Sequence, residues 1–390
     1  MSAKGHSSPI LVIGGLSHVG RHLVQGLVMT FGPDTHIRVV DRQLPAHALL
    51  SSAHSKVFSQ VEYIQANLNH SSIIENIFTS PIPGKTFERV FYCAADVSHW
   101  EVETIFQQRF VTDAVGCATQ AVATGCKVFL TVSSGMPYLA SKPGVMVDET
   151  GEMEQYNFRS TYMVRMEQSL QKVHGLPLVI VRPAVIWGPD ERRFWIAVLI
   201  ACDLFSRAGE TYNAPTGASV SYSTVHVRDV ARALIHLSTW YIHRRKEYGE
   251  EITSSPVIYN LADNGNTTPM DFFRVASRVF PGLKANFIDD CKATTITPAK
   301  LEEECDQVNE MLLEGWLDLL KSKGVQSPLT PFLEMEYCSL RPYTVDGRAI
   351  VRDTGFEYQY DDGFTPQGMR EVVKQDIDEG LWPSRELNGE

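Results

Sequence analysis

Short apolar runs alternate with segments of helical periodicity through the first half of the chain. Predicted strands lie at 10–13, 37–40, 61–64, 90–93, 128–132 and 178–181, and a helix begins near Val19. Leu23, Val24, Leu27 and Val28 share one face of that helix, which is the spacing of an amphipathic helix. The strands are continuous apolar runs, as expected when helices cover both faces of a parallel sheet. The pattern predicts an α/β fold with a doubly wound parallel sheet.

A glycine-containing segment joins the first predicted strand to the first helix. Gly14 and Gly15 permit a tight turn, and Gly20 permits close packing of the helix, so that a pyrophosphate can bind at the positive helix N-terminus. Ser17 stands where a middle glycine is usual and keeps a hydroxyl for phosphate. This position between strand and helix predicts a Rossmann-type dinucleotide site, with cofactor contacts from Gly14, Gly15, Ser17, His18, Val19 and Gly20.

Asp41 closes the second predicted strand, about twenty residues after Gly20. A carboxylate there accepts hydrogen bonds from both adenosine ribose hydroxyls and repels a 2′-phosphate, so the sequence favours NAD over NADP. Arg42, directly beside it, weakens that preference. Asn67 after the third strand and Ala94-Ala95 after the fourth are predicted to line the adenine and the floor of the cofactor site.

The second half of the chain changes character. A helix from residue 227 to about 242 and a strand at 257–261 continue the α/β pattern, whereas 298–323 reads as an amphipathic helix and the remainder is rich in aromatics and turns. We therefore assign 1–188 and 222–262 to a dinucleotide-binding domain. Residues 189–221 and 263–390 are assigned to a smaller substrate-binding lobe.

Composition narrows the class of protein further. The chain has 390 residues, 44% of them hydrophobic, and a net charge of -11, which disfavours nucleic acid as a partner. The apolar stretch 194–205 contains Asp203 and is shorter than the roughly 20 residues of a membrane span. Seven scattered cysteines without a C-x-x-C pair predict reduced thiols, no disulfide framework and no metal site. We expect a cytoplasmic protein with a small-molecule substrate, and a homodimer is a candidate assembly.

Six stretches resemble the extended short-chain dehydrogenase/reductase superfamily, in its NAD-dependent epimerase/dehydratase and 3β-hydroxysteroid dehydrogenase branch. They are VIGGLSHVGRHLV, VVDR, FYCAADVS, LTVSSGMPY, VIVRPAVIWGPD and VHVRDVARAL, in the family's order, and they cover residues 9 to about 263. The resemblance implies a nicotinamide floor at Arg182-Pro183-Ala184-Val185, with Pro183 and Val185 as cofactor contacts. It also implies a substrate loop after Pro189.

In this family a serine orients a carbonyl oxygen, while a Tyr one helical turn before a Lys transfers the proton. Ser134 matches the serine. Tyr138 and Lys142 have the Tyr-Lys spacing, but they lie only four and eight residues after Ser134, where the family has a loop. We expect this pair to lie on an exposed loop and to be dispensable.

The helix predicted at 158–173 should carry the true pair, and it lacks the lysine in either register. If Tyr162 is the catalytic tyrosine, Met166 takes the Lys position and Arg165 lies nearby as a charged substitute. If Glu167 is aligned with the family's later Glu, the two positions become Arg159 and Met163. The predicted catalytic residues are Ser134, Tyr162 and Arg165, with Tyr162 as a proton donor rather than a base.

The substrate contacts are predicted at His99, Arg192, Arg193 and Trp195, and Asp113, where the family has an Asn, is a further candidate for the pocket. Aromatic residues around Trp195 favour an apolar, steroid- or polyketide-like molecule over a nucleotide sugar. The leading function is an NAD-dependent dehydrogenase or reductase acting on a carbonyl/alcohol pair. A redox-neutral isomerase, lyase or cyclase is the second, and a non-enzymatic NAD-binding protein is the third.

Overall fold

The computed structural model describes residues 8–95, 101–138, 145–249, 256–290, 297–334 and 342–387. Its strands in these ranges are β1 (Ile10–Ile13), β2 (Ile37–Asp41), β3 (Glu62–Gln65), β4 (Arg89–Tyr92), β5 (Val128–Val132), β6 (Leu178–Pro183), β7 (Val185–Trp187), β8 (Thr211–Gly217), β9 (Thr224–His226), β10 (Val257–Leu261) and β11 (Lys284–Ile288). The α-helices are α1 (His18–Phe31), α2 (Ser52–Phe58), α3 (Ser71–Phe78), α4 (Glu103–Phe106), α5 (Asp113–Ala123), α6 (Phe158–Gln171), α7 (Phe194–Ala208), α8 (Val227–Tyr248), α9 (Pro269–Ala276), α10 (Pro298–Lys323), α11 (Arg348–Thr354) and α12 (Pro366–Asp378). A π-helical turn, Gln107–Thr112, joins α4 to α5.

Seven strands form one parallel sheet in the order β10-β6-β5-β4-β1-β2-β3, which confirms the predicted doubly wound fold. Alternate residues of β1 enter two different cores. Ile10 and Val12 belong to the core that includes α1 and α8, whereas Leu11 and Ile13 belong to the core that includes α5 and α6. Because both faces are covered, the strand has no polar side, and this explains its continuous apolar sequence.

The order in which the chain adds strands to the sheet reverses at β1. This strand pairs with β2 on one side and with β4 on the other, so the connections from β1 and β4 leave the sheet edge in opposite directions. In open parallel sheets such a reversal creates a crevice at the carboxyl ends of the strands, where ligands bind. The residues predicted to hold the adenosine and the pyrophosphate lie at or just after the carboxyl ends of β1, β2, β3 and β4, at this edge.

A smaller lobe grows from the chain after β7 and after β10. It contains the parallel pair of β8 with β11, together with α7, α9, α10 and α12, and a second short parallel pair, β7 with β9, lies where the chain leaves and re-enters the larger domain. Trp195, Phe272 and Trp382 of this lobe belong to the same continuous core as β1 and α1. The boundaries proposed for two domains therefore stay a prediction.

Two further properties of the described residues bear on the protein's class. No helix among them is both long enough and apolar enough to cross a membrane. The described cysteines are buried free thiols, Cys93, Cys117, Cys126, Cys202 and Cys305. Burial raises the pKa of Cys93 to about 12, so this thiol, although it lines the cavity described below, stays protonated at neutral pH.

Candidate cofactor and active site

A cavity of about 530 Å³ lies along the carboxyl ends of the strands. Most of the cofactor residues expected from the sequence line it: Gly14, Ser17, His18, Val19, Asp41, Arg42, Asn67, Ala94, Ala95, Pro183 and Val185. Gly15 and Gly20 support the turn from behind instead. An added Cβ on Gly15 would lie 2.3 Å from Cγ1 of Val39, so only glycine lets the turn pack onto β2.

The turn after β1 brings two backbone segments unusually close. Gly14 has a φ of +82°, in the region that favours glycine, and an added Cβ would lie 2.5 Å from the backbone N of Ala94. Gly20 faces Gly14, where an added Cβ would lie 2.2 Å from the Gly14 carbonyl oxygen. These contacts leave the start of α1 on the cavity wall, where its backbone N–H groups and positive end suit a pyrophosphate.

Ser17 has a different role from the one expected. Its Oγ accepts a hydrogen bond from the backbone N of Gly20 at 3.0 Å and donates one to the carbonyl oxygen of Gly14 at 2.8 Å. The hydroxyl therefore caps α1 and holds the turn, with its single proton already donated. This corrects the expectation that the Ser17 hydroxyl is kept for phosphate.

His18 is a neutral side chain at the same helix end. Burial lowers its pKa to about 4, and its Nε2 lies 2.9 Å from the carbonyl oxygen of Pro189. Because that oxygen only accepts, Nε2 carries the proton and donates it. His18 thereby ties the dinucleotide turn to the loop that leads to α7, and it adds no positive charge for a phosphate at neutral pH.

Asp41 is held at the adenosine end of the cavity by backbone donors. Its Oδ2 accepts from the N of Leu16 at 3.0 Å and its Oδ1 from the N of Gln43 at 3.2 Å. Burial raises the pKa of this carboxyl, and these N–H groups oppose that shift. Each carboxylate oxygen keeps further acceptor capacity, so the residue can receive ribose hydroxyls. With the turn after β1 for the pyrophosphate and Pro183 and Val185 at the far end, the residues present fit NAD.

Ser134 lies at the opposite end of the cavity, after β5. It is buried, and its Oγ accepts a hydrogen bond from the backbone N of Met136 at 3.1 Å. An acceptor bond from the backbone orients the hydroxyl and leaves its proton for another acceptor. Pro183, Ala184 and Val185 line the same region, whereas the side chain of Arg182, which the resemblance put on the floor, is not part of the lining.

Helix α6 presents Arg159 and Met163 to the cavity, not Tyr162 and Arg165. At about 100° per residue, Arg159 and Met163 lie about 40° apart, and Arg165 lies about 160° from Met163 on the far side of the helix. The side chain of Arg165 is exposed, with its guanidinium 4.8 Å from the centre of the Tyr162 ring. This corrects the register built on Tyr162 in favour of the one built on Glu167.

Tyr162 is buried in the core that includes α5 and α6. Its hydroxyl donates to Oε1 of Glu103 at 2.9 Å, and its ring stacks on Phe106 at 6.1 Å. The residue is only 3% exposed. The predicted proton donor is therefore occupied by a structural contact away from the cavity.

Replacing Tyr162 by Phe is expected to leave turnover within about threefold, because its hydroxyl does not face the cavity. The lost bond to Glu103 should lower the free energy of unfolding by about 1 kcal/mol. Turnover assays and urea unfolding measure the two effects. A fall in rate of about 10²–10⁴ with stability intact would return Tyr162 to the role of general acid.

The neighbouring Tyr138 is buried, which contradicts its expected place on an exposed loop. Its hydroxyl donates to Oδ1 of Asn260 at 2.8 Å and accepts from Arg182 at 2.7 Å. Tyr138 does not line the cavity. Lys142, and the substrate candidate His99, lie outside the described residues.

Arg109 lines the cavity without having been predicted from the sequence, and Arg159 lines it as one of two alternatives left open. Arg109 comes from the π-helical turn, and Arg159 from the first turn of α6. Asp113 lines the same wall, where Gln108 donates to its Oδ1 at 2.6 Å and burial raises its pKa. Glu167 was the usable signal for Arg159, since aligning this residue selects the register that the structure has. No local sequence pattern predicts the π-helical turn that carries Arg109.

The loop before α7 contributes the predicted substrate residues. Arg192, Arg193 and Trp195 all line the cavity, but Arg192 also donates to Oδ1 of the buried Asp376 at 2.7 Å. Much of its charge is thus used to join this loop to α12. Trp195 borders a second, apolar pocket of about 40 Å³ with Tyr222, Phe272 and other side chains of the lobe.

A buried polar cluster lies behind the dinucleotide turn. Single ligand atoms of His22, His54 and Asp190 lie within 4.8 Å of one another. Nε2 of His22 is 3.0 Å from the Pro189 carbonyl oxygen, and Arg21 and Arg192 each approach the Asp190 carboxylate to within 4 Å. The two arginines beside the Asp190 carboxylate oppose the binding of a divalent metal by these three residues. The cluster instead connects α1, α2 and the loop before α7.

The crevice where the strand order reverses, the glycine turn and Asp41 define a dinucleotide-binding protein of the Rossmann type. A family model described as the NAD dependent epimerase/dehydratase family matches residues 10–250. The chain belongs to this family, which confirms both the predicted family and NAD as its cofactor. A search of curated proteins found no match.

Solved structures show the same fold at low sequence identity. A UDP-N-acetylglucosamine 4-epimerase from Methanobrevibacter ruminantium M1 is 17% identical, with a TM-score of 0.65 over 96% of this chain and 99% of that one. MoeE5, solved with UDP-glucose and NAD, is 15% identical, with a TM-score of 0.63 over 95% and 99%. DesIV, a dTDP-glucose 4,6-dehydratase from Streptomyces venezuelae solved with NAD, is 14% identical, with a TM-score of 0.64 over 96% and 98%.

Proposed function

We propose that the protein is an NAD(H)-dependent enzyme that interconverts a carbonyl and an alcohol on a small, largely apolar molecule. The observation that carries this proposal is a single cavity that runs from Asp41 to Ser134 and reaches Trp195. It joins a site suited to a dinucleotide, a serine donor and an aromatic wall. The family supplies the NAD dependence, and the residues of this chain supply the substrate preference.

The chain's own residues divide the work along the cavity. Asp41 holds the adenosine ribose, the start of α1 holds the pyrophosphate, and Pro183 and Val185 support the nicotinamide, which supplies or accepts a hydride when bound. Ser134 donates its Oγ proton in a hydrogen bond to the substrate oxygen. Arg159 brings a guanidinium to the same cavity, where it stabilises negative charge on the bound substrate; a guanidinium does not serve as a proton donor in proteins.

The proton itself needs another source in this proposal. Asp113 is the carboxyl on the wall shared with Arg109 and Arg159, and burial raises its pKa. A carboxylic acid whose pKa moves toward neutrality is a better proton donor at physiological pH than an ordinary Asp. We assign the proton transfer to an oxygen of the Asp113 carboxyl, directly or through water.

The aromatic pocket supports an apolar substrate over a nucleotide sugar. Trp195 stacks with Phe272 at 5.0 Å and with Tyr222 at 5.9 Å, and both partners line the pocket beyond Trp195. Binding of a diphosphate requires cationic side chains that can donate to its oxygens, whereas Arg192 of this loop donates to Asp376. The UDP-glucose bound by MoeE5 and the sugar nucleotides in the names of the epimerase and the dehydratase are ligands of those proteins, and they do not identify the substrate of this one.

A redox-neutral reaction is the second candidate, and one observation favours it. No Tyr or Lys side chain of the described residues lines the cavity. A site with Ser134 and Arg159 but without a Tyr-Lys pair can stabilise an enolate or alkoxide in an isomerisation, elimination or cyclisation.

The two candidates differ in hydrogen transfer. With NADH deuterated at the transferred position and a panel of aromatic and alicyclic ketones, we expect label in the alcohol product and one NADH consumed per turnover. Ser134→Ala should lower this rate by about 10²–10³ because the donor to the oxygen is lost.

Turnover without net consumption of NADH has two explanations: a bound NAD that is reduced and reoxidised within one cycle, or a reaction without hydride transfer. A substrate labelled at the reacting carbon shows whether hydrogen passes through a bound NAD and returns within one cycle. Active enzyme that passes no hydrogen by either route would exclude the oxidoreductase proposal and establish the redox-neutral one.

A further inference from the structure

The part of the cavity wall formed by α6 and the π-helical turn carries two guanidinium groups. Arg159 and Met163 come from α6, and Arg109 and Asp113 come from the π-helical turn and the start of α5. Within each pair the residues are four apart, so each pair occupies one side of its helix. π-helical turns are rare and occur frequently at functional sites, where they redirect a side chain.

The electrostatic environment of this wall favours an anion. Arg159 lies in the first turn of α6, where the helix carries a partial positive charge that disfavours a cation by roughly 0.3–1 kcal/mol. Arg109 adds a second positive charge, and Asp113 contributes a carboxylate to the same lining. Burial raises the pKa of Asp113, which makes this carboxylate a weaker counterion. A bound oxyanion would be attracted by both guanidinium groups and by the helix end.

The apolar pocket begins at the substrate end of the same cavity. Phe194 and Trp195 line both, and beyond them the smaller pocket is walled by Tyr222, Phe272 and Leu333. Its accessible wall is almost wholly apolar, so it suits a ring or chain without charge. A ligand that extends from Arg159 into this pocket must be anionic at one end and apolar at the other.

We propose that Arg109 and Arg159 form a carboxylate-binding subsite and that the substrate is an apolar carboxylic acid that also bears the reacting carbonyl or alcohol. This inference rests on the proposed function and specifies its substrate class. A planar guanidinium matches a carboxylate through two parallel hydrogen bonds. Both arginines line the same cavity as Ser134, so a substrate held by its carboxylate can present its carbonyl or alcohol to that serine. The apolar body extends past Trp195.

The test compares an acid with its neutral isostere in the absence of turnover. The probes are 1-naphthoate and 1-naphthamide, titrated by calorimetry into protein saturated with NAD⁺. We expect wild type to bind the acid at least about tenfold more tightly than the amide. Arg159→Gln or Arg109→Gln should lower the affinity for the acid by about 10- to 100-fold and leave the affinity for the amide within about twofold of wild type.

A matched control uses a cation on the same helix. Lys172 caps the C-terminus of α6 and is exposed, so Lys172→Gln should leave the affinity for both probes unchanged. Circular dichroism and NADH fluorescence titration of each variant confirm that the fold and cofactor affinity are retained. If Arg159→Gln does not fold, Arg109→Gln carries the same comparison from a separate element.

Three results would overturn the subsite. They are equal affinity of wild type for the acid and the amide, equal weakening of both probes by Arg159→Gln, and tighter binding of UDP-N-acetylglucosamine than of naphthoate through the same arginines. The last would indicate a diphosphate site. Because these measurements need no turnover, failure of hydride transfer with the acid preference intact would reject the proposed redox reaction and keep the subsite.

Discussion

Replacing Arg182 by Met is expected to lower the free energy of unfolding by about 3–5 kcal/mol. Arg182 donates through Nε and one terminal nitrogen to the Glu167 carboxylate, at 2.6–3.2 Å, and both side chains are less than 10% exposed. Its other nitrogen donates to Tyr138 and to the carbonyl oxygen of Glu149. Without the arginine, the buried Glu167 carboxylate loses its cationic partner, and the Tyr138 hydroxyl loses one of its two hydrogen bonds. Urea unfolding followed by tryptophan fluorescence measures the loss.

The companion variants separate a buried charge from a general loss of contacts. The double variant Arg182→Met with Glu167→Leu removes both charges and should recover most of the stability. The control is the ion pair of the exposed Arg348 with Asp346, and Arg348→Met should leave the free energy of unfolding close to that of wild type because solvent screens such a pair. A single Arg182 variant that also loses less than about 1 kcal/mol would show that the buried pair does not stabilise α6.

Wild-type protein is expected to bind NADH about 100-fold more tightly than NADPH. A 2′-phosphate would meet the Asp41 carboxylate, which Leu16 and Gln43 hold in place through backbone N–H groups. The phosphate also removes a ribose hydroxyl, and a hydrogen bond to a charged group contributes about 1.5–3 kcal/mol. Asp41→Asn keeps the shape, removes the charge, and should reduce the preference to about tenfold or less. Fluorescence titrations with both nucleotides measure these ratios.

Two further variants define what the preference depends on. Asp34 is an exposed carboxylate outside the cavity, so Asp34→Asn should leave both affinities unchanged. Arg42 is exposed beside Asp41 on the cavity wall and can attract a phosphate, so Arg42→Gln should widen the preference for NADH. Equal wild-type affinities for the two nucleotides would remove Asp41 from this role.

The sheet and the cofactor end could be predicted because their determinants are local. A strand covered on both faces needs an apolar residue at each position, as in β1, and this is visible in any short window of sequence. Gly14 and Asp41 are likewise recognisable from their places after β1 and at the end of β2. The role of Ser17 was missed because a hydroxyl that caps its own helix and one that contacts phosphate occupy the same position in sequence.

The catalytic end could be predicted only as a choice between two registers. Helix α6 has buried residues on several faces, among them the consecutive Tyr162, Met163 and Val164, which lie about 100° apart, so its periodicity does not show which face meets the cavity. Glu167 resolves the choice, because its buried pairing with Arg182 orients the helix against β6. At about 100° per residue Glu167 lies about 40° from Met163, on the side of Arg159 and away from Arg165.

The doubly wound sheet, the glycine turn, the place of Asp41 and the absence of a lysine at the catalytic position in either register of the helix are all readable from the residues in order. The folded chain was needed to establish that Arg159 rather than Tyr162 faces the cavity, that Arg109 lines it from a π-helical turn, and that Tyr138 is buried against Arg182. The two groups differ in the range of the interactions that fix them. Turn conformation and strand burial depend on neighbours a few residues away, whereas the rotation of a helix depends on charges and cores contributed by distant segments of the chain.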